Sequence, residues 1–204
     1  MMSWEESTRQ KMLNLKLPTD PRWVGIAEMN LQDVLTDHAY CEQKAASSCI
    51  SLILRFNDLD ELVDTLTPIV AEEWGHFERV LEQIRCRGLK FGFPRKDEYV
   101  VQLTNFVKKG GSRMQQLTEQ LLLNALIEAR SCERFKLLSN NLKEPELKKF
   151  YYELMVSEAG HYVTFIELAR KYQDPDKVNK RWQEWLVFEA ELMKNLEVRG
   201  DRIH

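Results

Sequence analysis

Two stretches decide the fold: VAEEWGHFERV, residues 70–80, and VSEAGHYVTFI, residues 156–166. Each carries a Glu three residues before a His, and together they use two of the four histidines in the chain. On a helix, residues three apart are surface neighbours, so Glu73 with His76, and Glu158 with His161, each share one face. Both stretches lie inside long runs with apolar residues at helical spacing, while the alternation of a half-buried strand is nearly absent.

Projected at 3.6 residues per turn, the second stretch of helical pattern places Leu62, Leu66, Ile69, Glu73, His76, Val80 and Ile84 on one stripe. The fourth places Leu147, Tyr151, Leu154, Glu158, His161, Phe165 and Leu168 together. Two further stripes carry a lone carboxylate each. Leu31, Leu35, His38, Glu42, Ala45, Cys49 and Leu52 form one; Leu117, Leu121, Asn124, Glu128, Cys132 and Phe135 form the other. Six polar residues are therefore expected to point inward: Glu42, Glu73, His76, Glu128, Glu158 and His161.

Their spacing repeats. Glu73 to Glu158 and His76 to His161 are both 85 residues apart, and Glu42 to Glu128 is 86, so the halves superpose almost without gaps. Four carboxylates converging in an apolar core would repel one another, and each would lose its hydration at a cost of several kcal/mol. Two divalent cations remove that penalty. One Glu from each of two helices, with Glu-x-x-His from each of the other two, is the ligand pattern of di-iron carboxylate bundles. Carboxylates with one imidazole per metal suit iron or manganese better than structural zinc, and iron is the choice where dioxygen is to be activated.

Helix signals divide the chain accordingly. Core helices are expected at about 30–56, 58–87, 112–139 and 144–172, with a crossover at 88–111 and a C-terminal helix at about 175–197. Asp20-Pro21 starts a short helix, Asn30 and Asp58 are placed to cap the next two, and Gly88 stops the second core helix, which Pro68 is expected to kink. The crossover holds a short helix within DEYVVQLTNFVKK. The fold class is all-α. Two helix pairs joined by one long connection have the layout of a ferritin-like four-helix bundle with additional terminal helices, in one domain over residues 1–204; a cytokine-like bundle or a helical-repeat fragment shares the pattern.

The polar start MMSWEESTRQK is unlike a secretory signal, and no apolar run approaches bilayer length, so a cytoplasmic protein without a membrane partner is expected. Cys41, Cys49, Cys86 and Cys132 follow no paired motif and read as free thiols on helices. The net charge of −3 hides an uneven distribution: residues 79–113 hold nine basic and three acidic side chains. That stretch, with Phe91, Phe93 and Tyr99, offers phosphate contacts and stacking surfaces, and Lys90, Arg95, Lys96, Tyr99, Lys108 and Lys109 are the candidate RNA-binding residues. His38, one turn before Glu42, reads as a hydrogen-bond partner of a ligand rather than a ligand. Glu72 and Glu133 fall off the stripes and read as solvated; His204, at the end of the tail, is given no role.

With these residues placed, the chain resembles the bacterial tRNA-(2-methylthio-N6-isopentenyladenosine) hydroxylases over nearly its whole length. The resemblance rests on DHAYCEQKAASS around Glu42, EEWGHFERVLEQIRCRG around Glu73 and His76, LIEARSCERF around Glu128, and KFYYELMVSEAGHY around Glu158 and His161. It implies the same six residues as ligands of two iron ions. It further implies hydroxylation of the isopentenyl group on the modified adenosine beside the anticodon of a tRNA substrate, with dioxygen as co-substrate and an external electron donor of reductase or ferredoxin type. The family often carries an Arg before each motif His, where this chain has Gly75 and Gly160; tight backbone approach is one expected reason for glycine there. The rival reading is a ferritin- or rubrerythrin-like ferroxidase or peroxide scavenger, weakened in its rubrerythrin form by the absence of a Cys-x-x-Cys motif.

Overall fold

The computed structural model describes residues 13–203, so His204 and most of the opening segment lie outside the described residues. Every regular element among these residues is a helix: α1 (Arg22–Met29), α2 (Leu31–Arg55), α3 (Asp60–Cys86), α4 (Glu98–Phe106), α5 (Arg113–Asn141), α6 (Pro145–Tyr172) and α7 (Pro175–Asn195). The four long helices, the crossover with α4 inside it, and the terminal helix fall within a few residues of the expected bounds.

Local chemistry accounts for most of the ends. Asp20 accepts from the Arg22 N–H at 2.9 Å at the start of α1, and Asp174 accepts from the N–H groups of Asp176 and Lys177 at the start of α7. Gly88 ends α3 at φ +67°, with its N–H bonded to the Arg85 carbonyl and the Leu89 N–H to the Ile84 carbonyl, both at 3.0 Å. This doubled closure satisfies two terminal carbonyls and needs a left-handed residue. Two expectations are corrected. Asn30 does not cap α2 with its side chain; its amide donates to the Ile26 carbonyl at 2.8 Å and so closes α1 instead. The N-cap position of α3 is taken by Leu59 rather than Asp58, and Pro68 lies inside the helix.

The described residues gather into two compact units. One comprises residues 20–98, 134–154 and 198–203; the other comprises residues 13–19, 99–133 and 155–197. In the first, α2 and α3 pack along each other, and α3 buries every member of its expected stripe from Leu62 to Ile84. The stripes of α5 and α6 are likewise buried at every expected position.

Candidate metal centre

In the first unit, ligand atoms of Glu42, Glu73 and His76 lie within 4.8 Å of one another. All three residues are buried, Glu73 completely. Within the motif, His76 Nδ1 sits 3.3 Å from Glu73 Oε2. In the second unit, Glu128, Glu158 and His161 bring ligand atoms within the same 4.8 Å, again all buried, with His161 Nδ1 3.0 Å from Glu158 Oε2. Each trio therefore offers two carboxylates and one imidazole in a nearly dry pocket. Two carboxylates this close repel each other, and a divalent cation relieves both the repulsion and the lost hydration. The donor set, oxygen-rich with one nitrogen, fits iron.

His38 is wholly buried, and its Nε2 meets Glu42 Oε1 at 2.6 Å. Its ring stacks on Tyr151 (5.5 Å between centroids, planes 19° apart) and touches Phe135 at 4.8 Å. A buried ring clamped between aromatics holds one oxygen of Glu42 in place, which is the hydrogen-bonding role expected of it. Burial, with Glu42 nearby, pushes the Tyr151 phenol above its ordinary pKa. Tyr151 was legible only as a stripe residue; its contact with His38 depends on packing. Asn124, buried and four residues before Glu128, stands where His38 stands before Glu42, so the internal repeat is not symmetric at this position.

Sequence reading missed Arg130, a fully buried cation of the second unit. Its Nε and Nη2 donate to Glu189 Oε1 at 2.8 and 2.5 Å, its Nη1 to Thr19 Oγ1 and Glu133 Oε2, and its Nη2 also to the Leu17 carbonyl. Tyr99 donates to the same Glu189 oxygen at 3.3 Å. This network ties the turn of α5 that carries Glu128 to α7. It corrects two expectations. Glu133 is not solvated but accepts from Arg130 and from Thr19. Tyr99, expected to face RNA, is 1% exposed, because its ring completes the core under α7 and its hydroxyl serves the buried pair.

The basic stretch is also less available than its charge count suggests. Arg79 pairs with Glu153, Arg87 with Glu144, Arg95 with Asp33 and Asp201, Lys96 with Glu98, and Lys108 with Glu184. Lys90 and Lys109 are exposed. Glu72 is exposed, as expected. No atom outside the local helix lies within 4 Å of a methyl built on Gly75 or Gly160, so neither glycine serves close approach. Cys49 and Cys132 are buried, Cys41 is half-buried and Cys86 is exposed, all as free thiols.

The fold defines a ferritin-like helical protein, its two buried trios are clusters that could hold metal ions, and a solved structure shares the fold. A protein with aldehyde deformylating oxygenase activity from Synechococcus superposes with a TM-score of 0.87 at 31% identity, over 93% of this chain and 94% of its own. The tRNA-(MS[2]IO[6]A)-hydroxylase (MiaE) family model matches residues 6–204. The tRNA 2-(methylsulfanyl)-N(6)-isopentenyladenosine(37) hydroxylase of Pseudomonas putida KT2440 is 34% identical over 89% of this chain and 87% of its own. That of Salmonella typhimurium LT2 is 26% identical over 88% and 83%. This chain belongs to the tRNA-(MS[2]IO[6]A)-hydroxylase family.

Proposed function

We propose that this protein hydroxylates the isopentenyl group of 2-methylthio-N6-isopentenyladenosine next to the tRNA anticodon. In this reading two iron ions serve it, one held by Glu42, Glu73 and His76 and the other by Glu128, Glu158 and His161. The observation that carries the reading is the pair of buried trios, each of two carboxylates and an imidazole, in a chain that matches a tRNA hydroxylase family over residues 6–204. When bound, the iron pair would supply the redox chemistry that couples dioxygen, two electrons and two protons to insertion of one oxygen atom into a C–H bond, the other oxygen leaving as water.

The side chains do the rest. The carboxylates balance the charge of the ions inside an apolar interior, and the stripes above and below them exclude water from the reaction. His38 fixes the orientation of Glu42 through its 2.6 Å contact. Lys90, Arg95, Lys96, Lys108 and Lys109 serve as phosphate contacts, the paired ones exchanging a carboxylate for a phosphate. An external electron donor of reductase or ferredoxin type is required, and the cytoplasm, where tRNA resides, is the place of work. No helix among the described residues is long and apolar enough to cross a membrane.

The test is turnover by iron-reconstituted protein on prenylated, methylthiolated tRNA, with dioxygen and a competent reductant, followed by nucleoside mass spectrometry. A product heavier by one oxygen atom on the prenyl arm is expected. Consumption of peroxide or oxidation of free ferrous iron, with no hydroxylated nucleoside, would overturn the proposal in favour of a scavenger or ferroxidase.

A further inference from the structure

The α2–α3 pair carries a row of aromatic rings on its outer side that the metal centre does not use. Phe91, in the crossover, stacks on Tyr40 of α2 with centroids 4.8 Å apart and planes at 26°, and meets Phe77 of α3 edge-on at 6.2 Å. Phe77 lies 5.0 Å from Trp74. Trp74 is 47% exposed and Phe91 41%. Because Trp74 falls between Glu73 and His76 in sequence, the row lines the outward face of the same helical turn whose inward face holds those two members of the first trio.

The row is built rather than incidental. The Tyr40 hydroxyl donates to the Gly92 carbonyl at 3.1 Å, the Gly92 N–H to Thr36 Oγ1 at 3.3 Å, and the Lys90 N–H to Gln32 Oε1 at 3.2 Å. These three bonds hold residues 90–92 against α2 and so fix the Phe91 ring. A side chain at position 92 would press on Thr36 at 3.3 Å, which glycine avoids. Exposed cations flank the rings: Lys90 beside Phe91, and Lys44 one turn beyond Tyr40 on the same face of α2.

We propose that this row is a stacking platform for unpaired bases of the tRNA anticodon loop, a reading that rests on the hydroxylase assignment above. Sequence-specific RNA recognition targets loops whose bases splay outward onto aromatic faces, with cations taking the neighbouring phosphates. The row has both parts in one place. It is too small to be a stable interface with another copy of the chain: a large aromatic side chain offers roughly 150–250 Å², so the exposed fractions of Trp74 and Phe91 sum to roughly 200 Å², against about 800 Å² per partner in a stable complex.

The experiment measures binding of a fluorescent anticodon stem-loop RNA to the iron-loaded full-length protein and to Trp74→Leu, Phe91→Leu and Trp74→Phe. Iron content and thermal melting serve as folding checks. Each leucine variant is expected to weaken binding by roughly 5- to 100-fold, the range of one lost base stack. Trp74→Phe, which keeps a stacking face, is expected to stay near the wild type. Leucine variants that bind like the wild type, a wild type that does not bind the stem-loop, or loss of a dimer on sedimentation with unchanged RNA affinity would each overturn the platform. A wild type that binds the stem-loop but never hydroxylates its prenylated form counts against the hydroxylase reading alone.

Discussion

Gly75 and Gly160 stand directly before the two motif histidines, in open space on both helices. Nothing offsets their backbone cost there, so Gly75→Ala and Gly160→Ala should each stabilise the fold by about 0.5–1 kcal/mol, read as a rise of a few degrees in Tm. His38 works differently, through one contact. His38→Ala removes the partner of Glu42 Oε1 and should lower iron affinity by roughly 10- to 100-fold in an anaerobic titration, with His38→Gln recovering part of it. A structural role without influence on the metal would leave that titration unchanged. The burial of the four Glu and two His residues of the trios was legible from periodicity. The role of His38 was legible too, since one helical turn separates it from Glu42. The aromatic clamp around its ring was not, because Tyr151 and Phe135 come from residues about a hundred positions away.

At the scale of the helices, α5 depends on distant partners. Arg130 is fully buried, and burial works against its charge while Glu189 and Glu133 hold the charge in place, so its pKa stays raised. Burial also raises the Glu189 carboxyl, against the pull of Arg130. Arg130→Met strands that carboxylate and should cost about 3–5 kcal/mol by denaturant melts, with Glu189→Leu in the same chain recovering part of the loss. The sign with pH follows: a carboxyl whose folded pKa lies above its unfolded value destabilises increasingly as pH rises between the two, so the variant's deficit should shrink on acidification. At the C-terminus, Arg202 pairs with Asp37 at 3.1 Å and the Ile203 N–H donates to Asp37 at 2.8 Å, seating the tail after α7. Asp201 in that tail is lowered from 3.8 to about 2, chiefly by its hydrogen bonds from Arg199. Its contribution is present above the unfolded value and lost as pH falls through the folded one, so its carboxyl carbon should titrate by NMR with a midpoint near 2, and the midpoint should return toward 3.8 in Arg199→Ala.

At the scale of the molecule, the proposed metal sites tie the buried carboxylates to the stability of the fold. A ligand that binds only the folded state stabilises it in proportion to the logarithm of its concentration over its dissociation constant, by about 2.7 kcal/mol at a hundredfold excess. Ferrous iron added under anaerobic conditions should therefore raise Tm in a saturable way, and a chelator should reverse the rise. Glu73→Ala or Glu158→Ala should blunt it; a Tm indifferent to iron in the wild type would contradict the assignment of the trios. The formal charge is equally a whole-chain property. Five of the nine cations counted in residues 79–113 have carboxylate partners, so the excess seen along the sequence does not translate into an open basic face. The base-stacking row proposed above adds to the phosphate contacts proposed for that stretch a set of exposed rings flanked by Lys90 and Lys44.

The sequence by itself determined the helices, their apolar stripes and the six inward Glu and His positions, because those depend on neighbours three and four residues apart and on a core that excludes unpaired charge. The closure of α3 at Gly88 and the start of α7 at Asp174 belong to the same class of local rule. Only the tertiary structure decided that Tyr99 serves a buried ion pair rather than a surface, that Glu133 and Arg130 lock α5, and that Tyr40, Trp74, Phe77 and Phe91 form one row. Those outcomes depend on side chains far apart in the chain, whose meeting is set by packing and not by any local periodicity.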